Sequence, residues 1–133
     1  MQNGSIFFHE RFKFINGDIG EKLLILLNTP RKSEPYLFCR TTSVESQKSF
    51  IPGCQVEDTL FFIPQGKEWF NKNTWLQLFE IFPFDAATVL KDSWDKLLVE
   101  KGKLDDLTIR QLMNCIKRIK DIEIKYKEMI LNR

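Results

Sequence analysis

The sequence predicts an α+β fold, with a β-rich front over residues 1–82 and a helical part over 83–133, together forming one domain. Three observations carry that prediction. Twelve of the 133 residues are Phe, and large aromatic rings suit half-buried pleated surfaces. Short apolar runs, separated by turn residues, recur from the N-terminus to residue 78. After Pro83 the apolar spacing changes to three and four, the period of a helix face.

The first strand is expected over Gly4–Phe14, where Ile6-Phe7-Phe8 is followed by alternation at Phe12 and Phe14. Ile15-Asn16-Gly17-Asp18 then predicts a reversal, because Asn-Gly supplies the positive φ angles of tight hairpins. The run from Lys22 to Leu27 has the length of a buried strand. Asn28–Pro35 is polar and carries proline near both ends, which marks a loop. Tyr36–Thr42 is a third strand and Ser43–Ser49 a loop. Pro52-Gly53-Cys54 is a turn, and Thr59–Ile63 a fourth strand stopped by Pro64-Gln65-Gly66. Thr74–Leu78 is a fifth. Several short strands with turns between them suggest a small barrel or sandwich.

In the C-terminal part, Asp85 is a plausible N-cap for a helix through Ala86, Leu90 and Trp94. Gly102 separates it from a final helix capped by Asp105 or Asp106. Ile109, Leu112, Ile116, Ile119 and Ile122 form one stripe there, and the apolar pattern continues to Tyr126, Met129 and Ile130.

Charge and composition bound the function. Twenty basic and 18 acidic residues leave a net charge of +2, too small to announce nucleic-acid binding. The basic excess is concentrated in the stretch from Lys101 to Arg133, whose helix is a solvated face or an interface for protein or nucleic acid. Cys39, Cys54 and Cys115 are odd in number and widely spaced, with no CxxC. With His9 as the sole histidine, they cannot readily build a zinc site. They support no disulfide framework either, which suits a reducing compartment. The N-terminus lacks a signal-peptide pattern, and the longest apolar run, Leu23–Leu27, cannot span a membrane. The expectation is a cytoplasmic protein. P-loop, GxGxxG, HExxH and GxSxG motifs are absent, and no cofactor or metal is expected.

Gly4-Ser5-Ile6, then Gly17-Asp18-Ile19-Gly20-Glu21-Lys22 leading into Leu23–Leu27, then Leu37–Ser43, resemble the front of MazF/PemK toxins. The Thr59–Ile63 and Thr74–Leu78 strands and the helix from Gly102-Lys103-Leu104 to Ile116 also fit that outline. The resemblance covers most of residues 4 to 120. It implies a small SH3-like antiparallel β-barrel with C-terminal helices (MazF/CcdB-like). It also implies a homodimer, metal-independent cleavage of single-stranded RNA, and restraint by a cognate antitoxin protein.

The family's arginine and threonine catalytic pair is matched here by Lys22 and Thr42, with Ser43 beside it and Thr41 as the alternative register. Lysine in place of arginine is a departure, since a guanidinium offers phosphate a bidentate fork and an ammonium only a compact charge. Ser5 replaces the family's opening acidic residue, and its Arg-Pro pair is absent.

The chemistry can be argued independently. When RNA is cleaved by its own 2′-OH, charge builds on the phosphorane, which a cation and a hydroxyl can stabilise. A base must also take the 2′-OH proton; His9, Glu10 and Glu21 are candidates. Trp69 and Trp75 could stack on bases, with Lys67 beside them on the phosphates. The opposing reading is a non-catalytic binding module of the same fold. It rests on the basic C-terminal helix or the Trp69–Trp75 segment, and toxins of this barrel type that poison a topoisomerase set the precedent.

Overall fold

A computed structural model describes residues 1–13 and 17–131. It contains seven strands and three helices. The strands are β1 (Ser5–Lys13), β2 (Ile19–Leu26), β3 (Tyr36–Thr42), β4 (Gly53–Gln55), β5 (Leu60–Ile63), β6 (Thr74–Phe84) and β7 (Leu98–Lys103). The helices are α1 (Ala86–Trp94), α2 (Asp106–Arg118) and α3 (Ile124–Leu131). The strands form one antiparallel sheet in the order β4-β5-β6-β3-β2-β1-β7. Among the described residues no pairing joins the outermost strands β4 and β7, so the sheet is open.

Both faces of the sheet are covered, which explains why β2 reads as an unbroken apolar run rather than an alternation. On one face α2, α3 and the segment between them lay Ile109, Leu112, Ile116, Ile119, Ile122 and Ile130 against Ile6, Ile25, Leu37, Phe61 and Leu76. On the other face α1 contributes Val89 to a cluster with Phe7, Phe12, Leu24 and Phe38. Farther along that face Leu60, Phe62 and Trp75 form a separate cluster, and Phe50 covers it through ring contacts with Phe62 and Trp75.

The sequence expectations hold for the five predicted strands and for the α1 and α2 starts. Asp85 and Asp105 each accept a hydrogen bond from the backbone N–H three residues on, at Thr88 and Thr108. Four points differ. The helical part begins later than residue 83, because β6 runs on through Pro83 to Phe84. The segment 83–133 is not all helical, since β7 pairs with β1 and forms that edge of the sheet. The final apolar stripe is split: α2 ends at Arg118 and Ile119 turns extended. The fourth is the pairing of two of the cysteines. Phe14 and Asn16, the expected strand end and turn residue, lie outside the described residues; Gly17 has φ +91°.

Cys54 and Cys115 form a disulfide across a separation of 61 residues, joining β4 to α2. Spacing alone missed the pair, because the fold brings an edge strand and a helix together from distant parts of the chain. The expectation of no disulfide, with the reducing compartment it suited, is corrected by this pairing. Cys39 is free, and complete burial pushes its thiol up to about 12.

Candidate phosphate-binding cleft

Where β2 begins and β3 ends, a cleft of about 340 Å³ opens. Glu21, Lys22, Thr41, Thr42, Ser43 and Trp69 line it, together with Phe8, Leu23, Phe70, Asn71, Lys72 and Thr74. Lys22 and Thr42 are twenty residues apart in sequence, and antiparallel pairing brings them together. The β2–β3 register pairs Leu24 with Arg40, and continuing it by two residues sets Lys22 opposite Thr42.

Strand alternation sorts the lining residues between the two faces. Thr41 pairs with Leu76 of the main core, and its buried hydroxyl donates to the Leu23 carbonyl at 3.0 Å. That hydroxyl proton is therefore already donated within the sheet. Thr42, Arg40 and Lys22 belong to the opposite face. The Thr42 hydroxyl oxygen accepts from the Val44 N–H at 3.2 Å, which leaves its own proton free to donate.

Arg40 is the residue sequence reasoning missed. Its guanidinium lies 5.4 Å from the Phe82 ring centroid and 3.8 Å from a Glu80 carboxylate oxygen. Its Nε is buried without a hydrogen-bond partner, a costly condition for a charged donor. Partial burial first, and the Arg40 charge second, hold the Lys22 ammonium below the ordinary lysine range. Lys22, Arg40 and Thr42 thus make a polar seam between the two aromatic clusters of this face. Two crowded cations with an unsatisfied donor favour an oxyanion. The signal available in the sequence was Arg40 two residues before Thr42, hence on the same face of β3.

The remaining candidates separate. Trp69 is 45% exposed and lines the cleft. Gly102 of β7 fits against it so closely that a Cβ there would meet the indole Cδ1 at 3.1 Å. Its loop is anchored by Glu68, which accepts from the Thr108 hydroxyl and from the Asp105 N–H. Trp75 is fully buried, stacks on Phe62 with ring centroids 4.6 Å apart, and donates its indole N–H to the Ser49 carbonyl. It belongs to the core and cannot stack on a base. Lys67 lines a different cleft, beside Cys54 and Cys115.

His9 is 5% exposed. Its Nδ1 accepts from the Arg11 N–H at 3.1 Å, and its Nε2 lies 3.2 Å from an Asp92 carboxylate oxygen. With Nδ1 accepting, Nε2 is the nitrogen that donates to Asp92. Both nitrogens are occupied, and His9 ties β1 to α1 rather than serving as a base. Glu10 stands at the β1 bulge between His9 and Phe12 and does not line the cleft. Glu21 is exposed and does. Sequence reasoning also missed Lys72 and Asn71, because loop residues carry no periodic signal. Among the described residues no group of three or more His, Cys, Asp or Glu is placed to hold a metal ion.

No protein-family profile and no curated protein matches this chain.

Proposed function

We propose that the chain is a metal-independent endoribonuclease that seats the backbone of single-stranded RNA at the Lys22–Thr42 cleft. The observation that carries the proposal is that a half-buried cation, Lys22, and a hydroxyl with a free proton, Thr42, share one face of the sheet with Arg40, at the rim of the open cleft. Lys22 and Arg40 neutralise the charge that grows on the phosphorane, and Thr42 donates to a nonbridging oxygen. Trp69 offers a base its exposed ring, and Lys72 a second phosphate contact.

The proposal extends to the MazF/PemK-like setting: a cytoplasmic toxin, homodimeric, restrained by an antitoxin protein. The SH3-like architecture belongs to it and is supported by the bulges in β1 and between β3 and β6, which bend and coil strands. No helix among the described residues is long and apolar enough to cross a membrane.

The test is cleavage of single-stranded RNA in EDTA. Lys22→Ala and Thr42→Ala are each expected to lower the rate by about 10²-fold with folding retained. Wild-type rates in both variants would remove the site. The binding-module reading gains from one observation, the commitment of both His9 nitrogens. It predicts RNA retention without cleavage, weakened by Trp69→Ala.

A further inference from the structure

A second cleft, of about 380 Å³, lies between the β4–β5 edge of the sheet and α2. It is independent of the RNA proposal. Its α2 wall is one helix face, carrying Thr108, Gln111, Asn114, Cys115 and Arg118. Cys54 and Lys67 line the sheet side. The disulfide that joins the two walls is therefore itself part of the cleft lining.

Two features set its chemistry. Its charged lining residues, Lys67 and Arg118, are both cations, and no carboxylate residue lines the cleft. They stand toward opposite ends of α2. Lys67 is close enough to Asp105, the N-cap of α2, to help lower that carboxyl, while Arg118 ends the helix. From Thr108 to Arg118 the helix rises about 15 Å. The side chains of Gln111 and Asn114 add amide donors between them. The two sulfurs also differ: Cys54 is half-buried on a three-residue edge strand, whereas Cys115 is fully buried under the helix. An incoming group thus reaches Cys54 first.

We infer that this cleft is a reaction site for a small acidic thiol, one with carboxylates at both ends and the sulfur between them, and that Cys54 is the residue it modifies. The carboxylates rest on Lys67 and Arg118. The thiolate attacks the Cys54 sulfur, a new sulfur–sulfur bond forms there, and the Cys54–Cys115 bond breaks. Cys115 leaves as a thiolate and takes a proton from water. The product carries a mixed disulfide at Cys54, and β4 is released from α2. Cys39 takes no part, being buried with its thiol pushed up to about 12.

Reduced glutathione is the probe, with 2-mercaptoethanol as the neutral control, both on the native full chain. Rates are corrected for thiolate fraction and nucleophilicity. Glutathione is expected to react about tenfold faster than the control, an advantage that disappears at high salt. The Lys67→Ala/Arg118→Ala variant should bring glutathione down to the control rate and leave the control unchanged. Peptide mapping should place the adduct on Cys54. Equal corrected rates for the two thiols in wild type would overturn the inference, as would an adduct on Cys115 or Cys39, or no reaction without denaturant. The salt comparison needs no variant, so it decides even if the double substitution fails to fold.

Discussion

Lys22 is held half-buried beside Arg40, and burial first and the Arg40 charge second make its own charge less comfortable. The consequence has a definite sign. A lysine whose folded pKa is lowered costs stability below that folded value, and the cost fades as pH rises toward the ordinary value of 10.5. Lys22→Met is therefore expected to raise the urea midpoint at neutral pH, with the gap narrowing as pH approaches 10.5. An unchanged gap across that range would show that the charge carries no penalty. The same crowding explains why an oxyanion suits the seam, since it offers the Arg40 Nε an acceptor and the Lys22 ammonium a counter-charge. His9 makes the opposite case. Its two hydrogen bonds join β1 to α1, although His9 pairs with Lys22 across the strands, so His9→Ala should cost roughly 1–3 kcal/mol of stability. RNA cleavage per folded molecule should stay at the wild-type rate.

At the scale of elements, the helix starts are the most local features of the fold. Asp85 and Asp105 each accept a backbone N–H, and those bonds lower both carboxyls below the ordinary value of 3.8. Lowered aspartates contribute stability that is present above 3.8 and lost as pH falls through their folded values. Asp105→Ala should destabilise more than Asp85→Ala. The reason is what each helix carries: α2 buries Ile109, Leu112, Cys115 and Ile116, whereas α1 buries Val89. Urea midpoints at neutral pH and at pH 3 would show it, with both differences shrinking at the lower pH. These caps were legible because a cap is a sequence-local event. Strand β7 was not. Leu98–Lys103 has one buried residue, and an edge strand exposed over most of its length shows no alternation to detect. The α2–α3 break was equally hidden, since the apolar stripe runs straight through it.

For the molecule as a whole, long-range pairing decides what sequence could and could not reveal. The Lys22–Thr42 pair was reachable because β2 and β3 are neighbours in sequence and in the sheet. Trp75 looked like a stacking platform until β5, β6 and the Phe50 loop closed over it. The Cys54–Cys115 link was invisible, since only tertiary structure sets β4 against α2. Its expected weight is large. Closing a loop of 61 residues stabilises by about 4 kcal/mol in the chain-entropy picture. Cys54→Ser should lower the denaturation midpoint accordingly, and so should full reduction of the wild type. Failure of both to do so would mean that the link closes no loop that matters to stability.

The seam of Lys22, Arg40 and Thr42 is the claim on which the functional account turns. Single-turnover cleavage of a single-stranded RNA in EDTA, compared between wild type and Arg40→Ala, tests it most directly, because no family pattern pointed to Arg40. The account predicts cleavage by the wild type and a loss of about 10²-fold in the variant, partly restored by Arg40→Lys. Cleavage by Arg40→Ala at the wild-type rate, with its fold intact, would contradict it.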